Sequence, residues 1–131
     1  MVHGKILIID DEQDIRDILK LHLEQAGFFT LTAQDGEEAI KILRQEDHLT
    51  SIGLILCDIR MPRVNGIEAI DFFREEAPGI PVVVLTGYPD TQLAVSLLKK
   101  GVRDYLVKPI EKEVLLEKVS AITVAGKDFE Y

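Results

Sequence analysis

An aliphatic run ends in adjacent carboxylates in K-I-L-I-I-D-D-E-Q-D, residues 5–14, and three later runs end in a polar side chain: Asp58, Thr86 and Lys108. Two like charges about 4 Å apart repel by roughly 4 kcal/mol at an effective dielectric near 20, so Asp10 and Asp11 call for a cation. With Asp58 they make a hard-oxygen donor set, which suits Mg2+ better than a softer metal. Lys108 offers a compact charge to a phosphate oxygen, and the Thr86 hydroxyl offers a hydrogen bond. A carboxylate flanked by a metal, an ammonium and a hydroxyl is equipped to accept a phosphoryl group, the aspartate acting as nucleophile. Asp58, alone at the tip of I-G-L-I-L-C, is the candidate acceptor.

Each of these residues also has a plain structural reading. Asp11 or Asp14 could cap a helix, Thr86 before Gly87 could simply end a strand, and Lys108 before Pro109 could mark a surface turn. The chemistry therefore depends on elements that bring them to one rim. Apolar runs at 6–9, 29–33, 52–57, 82–85 and 105–107 read as five strands. Between them, Ile15, Ile18, Leu19, His22, Leu23 and Ala26 form a helical stripe that stops at Gly27. Asp35 with Glu38, and Asn65 with Glu68, have the spacing of capping boxes that open a second and a third helix. A fourth is expected from about Asp90 to Lys100, with Ala94, Leu97 and Leu98 inward and Gly101 as its stop. The fifth is expected over 111–124, with Leu115, Val119 and Ile122 on one face.

Strand and helix in fivefold alternation predict an α/β fold, a doubly wound parallel sheet with helices on both faces. Ligands of such sheets bind outside the carboxyl ends of the strands, near the point where strand order reverses. Asp10, Asp11, Asp58, Thr86 and Lys108 all stand at or just past strand ends. Strand two ends in Ala33 and Gln34 without a charge, which suits an edge position.

Composition narrows the function. The 131 residues fit one domain, which would bury about two-thirds of its unfolded surface. With 23 acidic and 15 basic residues the net charge is -8, so a nucleic-acid backbone would be repelled. The aliphatic runs are too short for a membrane span or a signal-peptide core, and the single cysteine cannot form an internal disulfide. A soluble, cytoplasmic protein is expected. His3, His22 and His48 lack ligand-like spacing, Cys57 reads as a small apolar residue of a buried strand, and Phe72 and Phe73 as part of the core.

The motifs I-L-I-I-D-D-E, L-I-L-C-D-I-R-M-P-R-V-N-G, V-V-L-T-G and D-Y-L-V-K-P, in this order and spacing, resemble the receiver domain of two-component response regulators. The resemblance covers roughly residues 4–124. It implies a flavodoxin-like (βα)5 sandwich with strand order 2-1-3-4-5 and a receiver domain over 1–124; A-G-K-D-F-E-Y, residues 125–131, reads as a C-terminal tail or the start of a linker. Asp58 would be phosphorylated by a sensor kinase phosphohistidine, a phosphotransfer protein or a small phosphodonor. Asp11, Asp58 and the backbone carbonyl of Arg60 would bind Mg2+, with Asp10 acting largely through water. Thr86 and Lys108 would contact the phosphoryl group, Tyr105 would switch rotamer with Thr86, and the Lys108–Pro109 peptide would be cis. Phosphorylation would shift the face built by the fourth helix, fifth strand and fifth helix toward an output domain or partner, and homodimerisation on activation is expected there. Arg60 and Tyr88 occupy positions that influence phosphoryl lifetime, and their bulk would hinder the attacking water.

Other classes fit less well. An aspartyl phosphatase of the haloacid dehalogenase type places a second aspartate two positions after the nucleophile, and here that position is Arg60. A flavin-binding protein of this topology needs a phosphate-cradling loop after strand one, where Asp10, Asp11 and Glu12 would repel it. A phosphorylation-independent interaction domain would not require the intact residue set.

Overall fold

The computed structural model describes residues 2–45, 51–59, 66–87 and 91–124. Its main sheet contains β2 (Lys5–Ile9), β3 (Thr30–Ala33), β4 (Ile52–Asp58), β5 (Val82–Thr86) and β6 (Asp104–Val107). All pairings are parallel, in the spatial order β3-β2-β4-β5-β6. Counted along the chain these five strands read 2-1-3-4-5, the order that the receiver-domain resemblance implies. Every residue of β4 and β5 is buried, the mark of strands covered on both faces. By contrast β3 and β6 are only partly buried and form the edges.

Period-two alternation divides the aliphatic residues between two core layers. Leu7, Ile9, Ile55, Cys57, Val82 and Val84 pack with Ala39 and Leu43 of α2 (Gly36–Leu43), Ala69, Ile70 and Phe73 of α3 (Gly66–Glu76), and Leu97 of α4 (Thr91–Lys99). On the other face Ile6, Ile8, Leu54, Leu56, Val83 and Leu85 pack with Leu19 and Leu23 of α1 (Gln13–Gln25) and Leu115 and Val119 of α5 (Lys112–Ile122). A slip of one residue in any central strand would exchange its two sets of side chains, so the two layers fix the register that aligns the strand tips.

Helix ends follow their local chemistry. Asp35 Oδ1 accepts from the Glu38 N–H at 2.8 Å, while Glu38 Oε1 accepts from the Gln34 N–H at 3.0 Å, one residue earlier than in a regular capping box. Gly27 and Gly101, at φ 95° and 93°, stop α1 and α4 in Schellman turns. In these, Phe28 N–H donates to Leu23 O and Val102 N–H to Leu97 O.

Three expectations need correction. Ile18 and Leu98 are 43% and 48% exposed rather than inward. Each adjoins a buried leucine, Leu19 or Leu97, and one helical residue turns about 100° around the axis, so both lie outside a narrow buried stripe. The fifth helix ends at Ile122, because Thr123–Val124 leaves it as β7 and pairs in parallel with β1 (Val2–His3), a small second sheet. Gly4 connects β1 to β2 at φ 148°, where a Cβ would lie 2.6 Å from the Ser51 carbonyl oxygen and 2.7 Å from the Gly53 nitrogen. The proposed starts of the third and fourth helices, Asn65 and Asp90, lie outside the described residues.

Candidate functional site

Strand order reverses between β2 and β4, and the polar residues gather at the carboxyl ends of these strands and their neighbours. Asp10, just past β2, is fully buried and held from several sides. Its N–H donates to the Ala33 carbonyl at 3.2 Å, its Oδ1 accepts from the Glu12 N–H at 2.9 Å in an Asx turn, and its own carbonyl accepts from Arg16 Nη1 at 2.6 Å. That turn leads the chain into α1. The residue at the helix N-cap is Glu12, with no side-chain cap bond, so neither Asp11 nor Asp14 fills the capping role considered for it. Asp11 is exposed.

Asp58 is the last residue of β4 and is 4% exposed. Thr86, buried, ends β5, and its carbonyl accepts from the Lys108 N–H at 2.8 Å, which draws the β6 exit toward the β5 tip. The Lys108–Pro109 peptide is cis. Lys108 Nζ lies 2.7 Å from Asp10 Oδ2, 3.2 Å from Asp58 Oδ2 and 3.6 Å from Glu12 Oε1. One ammonium thus bridges two buried carboxylates from adjacent strands. Burial alone would lower the Lys108 pKa, but its close ion pair with Asp10, together with the charge and hydrogen bond of Asp58, outweighs that and holds it above the ordinary lysine value.

Carboxylate oxygens of Asp10, Asp11 and Glu12 come within 4.8 Å of one another. An all-carboxylate donor set, part buried and part open to water, fits a hard divalent cation. Asp58, expected to ligate the same cation, is not one of this group of three; it is linked to Asp10 through the shared Lys108 ammonium. Sequence patterning assigns Glu12 no role, although its place directly after the acid pair is an available signal. Arg16 escapes sequence reasoning as well; its signal is a cation one turn into the helix that begins after the acids.

The remaining candidates separate clearly. Tyr105 is half-buried against the core layer that holds Val84 and Leu97. Cys57 is fully buried; desolvation, then the charges of Asp58 and Asp10, push its thiol far above the usual range, so it stays protonated and inert. Phe73 is core, and Phe72 stacks edge-on against it under the Arg44 guanidinium. Arg60, Tyr88 and His48 lie outside the described residues. Among the described residues no helix is long and apolar enough to cross a membrane.

A sequence model described as the response regulator receiver domain matches residues 6–120. The CAI-1 autoinducer sensor kinase/phosphatase CqsS of Vibrio cholerae is 37% identical over 120 residues, covering 89% of this chain and 17% of that protein. The alkaline phosphatase synthesis transcriptional regulatory protein PhoP of Bacillus subtilis is 35% identical over 121 residues, covering 92% of this chain and 49% of its own length. The chain therefore spans less than half of either relative. Among solved structures, a response regulator receiver domain protein from Clostridium thermocellum superposes with a TM-score of 0.83 at 31% identity, over 91% of this chain and 93% of that one. The chemotaxis protein CheY4 of Vibrio cholerae gives 0.80 at 27% identity, over 92% of this chain and 99% of that one.

Proposed function

The chain belongs to the response regulator receiver domain family, and we propose that Asp58 is its phosphoryl acceptor and the input of a phosphorylation-dependent signalling switch. The observation that carries this reading is the Lys108 ammonium placed between Asp10 and Asp58 at the rim of the central strands. In the transfer, an Asp58 carboxylate oxygen attacks the phosphorus of the donor. The new O–P bond forms as the P–N bond of a phosphohistidine, or the P–O bond of an acyl phosphate, breaks, and the bonding electron pair leaves with the imidazole or carboxylate. Asp11, Asp58 and the Arg60 carbonyl that the motif implies would hold Mg2+, with Asp10 acting largely through water, and the ion would supply charge neutralisation for the phosphoryl oxygens. Lys108, one hydrogen bond from the acceptor, follows the charge from the carboxylate to a phosphoryl oxygen, and Thr86 at the tip of the next strand donates to another.

The activity of this module is confined to accepting and losing that group at Asp58; the family is one of signalling domains rather than catalytic enzymes. Movement of Thr86 toward the phosphoryl group would draw Tyr105 inward and bias a pre-existing arrangement of α4, β6 and α5. Support for that face as the output surface is its exposed apolar content: Val95 and Leu98 on α4, Val107 on β6 and Val114 on α5. The donor is a sensor histidine kinase or phosphotransfer protein, and the receiver of the signal is an output domain or a second copy engaging this face. Residues 125–131 would form the tail or linker beyond a domain spanning 1–124. Beryllium fluoride, which mimics an aspartyl phosphate, tests the switch. Amide shifts at Thr86 and Tyr105 that spread into α4 and α5 are expected, and shifts confined to Asp58 and its neighbours would contradict it.

A further inference from the structure

We infer that Arg16 is a positioning residue whose guanidinium fixes the peptide joining Asp10 to Asp11 and so presets the acid pair for a divalent cation. This rests on the reading of that pair as the cation-holding part of the phosphoryl site. Ile9 is paired on both sides, with Ala33 and with Cys57, whereas Asp10 stands just past the strand. Its N–H still reaches the Ala33 carbonyl, and its side chain is held by Lys108 and the Glu12 N–H. Arg16 Nη1 takes the Asp10 carbonyl at 2.6 Å, a short, charge-assisted bond. Because the peptide unit is planar, a fixed Asp10 oxygen also fixes the Asp11 nitrogen and Cα. Asp11, which is exposed, thereby receives a defined starting direction from the Arg16 bond to its neighbour's carbonyl.

The choice of acceptor matters. Lys108 already occupies one oxygen of Asp10 and one of Asp58; a second cation on a carboxylate would compete with a metal, while one on the Asp10 carbonyl offsets acid-acid repulsion and leaves the Asp11 oxygens to the metal. Arg16 is itself anchored in the first turn of α1, where its N–H donates to the Glu12 carbonyl at 3.1 Å. Helix, turn and strand end are therefore joined through one side chain.

Charge and positioning predict opposite signs. A guanidinium acting only as a positive charge repels a dication, so its removal would tighten Mg2+ binding; a guanidinium that positions the peptide would weaken binding when lost. Titration of wild type, Arg16→Met and Arg16→Lys with MgCl2, followed by the amide resonances of Asp11, Glu12 and Asp58, separates them, with thermal unfolding in chelator confirming that each variant is folded. Arg16→Met is expected to bind Mg2+ about tenfold more weakly, and Arg16→Lys, which keeps the charge but loses the planar fork, about threefold more weakly. Where Arg16→Met does not fold, Arg16→Lys decides. Folded variants that bind Mg2+ as tightly as wild type, or more tightly, overturn the inference alone. A wild type that binds no Mg2+ overturns the underlying reading and the inference with it.

Discussion

Lys108 Nζ stands 2.7 Å from Asp10 Oδ2, an ion pair in which the carboxylate side is fully buried and the lysine side chain is 15% exposed. The same nitrogen reaches Asp58 Oδ2 at 3.2 Å, so the proposed phosphoryl acceptor and the proposed metal-tuning acid share one counter-charge. Removing that charge takes the shared counter-ion from two buried carboxylates. Loss of one partner from a buried pair costs about 3 kcal/mol or more, so Lys108→Met is expected to lower unfolding free energy by about that amount in chelator. Added Mg2+ should recover part of the loss by binding the folded state. Urea unfolding with and without Mg2+ checks both halves.

The same pair sets a pH dependence. The pKa of Lys108 is raised in the folded protein, so its contribution to stability is complete below the unfolded lysine value and is lost as pH rises through the folded one. In chelator, the wild-type unfolding midpoint should therefore fall more steeply above about pH 10.4 than that of Lys108→Met, which has no proton to lose. Parallel curves for the two proteins would contradict the assignment.

Gly4 tests the small sheet at the chain's ends. An alanine there would bring Cβ to 2.6 Å from the Ser51 carbonyl oxygen and adopt φ 148°, a region that L side chains avoid. Gly4→Ala should destabilise by at least about 1 kcal/mol and reduce amide protection at Thr123 and Val124. Thermal unfolding and hydrogen exchange measure the two effects.

Much of this architecture is legible in the sequence because its signals are local. Uninterrupted apolar runs such as I-G-L-I-L-C and V-V-V-L announce strands buried on both faces, and Asp35 with Glu38 announces a helix start. The polar residues of the site are visible at the strand ends, and the fold class then places those ends on one rim. Other features depend on tertiary contacts that leave no periodic trace. Two residues at each end, Val2–His3 and Thr123–Val124, are too few for alternation to reveal β1 and β7. Ile18 and Leu98 match a helical stripe by spacing, yet the contact line of each helix is narrower than the stripe and leaves them outside. Arg16 has the pattern of an ordinary surface cation, and only the fold brings its guanidinium onto the Asp10 carbonyl.

Phosphorylation of Asp58 is read out by intact mass measurement after incubation with acetyl phosphate and Mg2+. The wild type is expected to gain one phosphoryl group, to gain none when chelator replaces Mg2+, and to exchange that group for the smaller mass of a hydroxamate on treatment with hydroxylamine, which displaces phosphate from acyl phosphates. Asp58→Asn is expected to gain none under any of these conditions. An unmodified wild type, or an equal adduct on Asp58→Asn, would contradict the account.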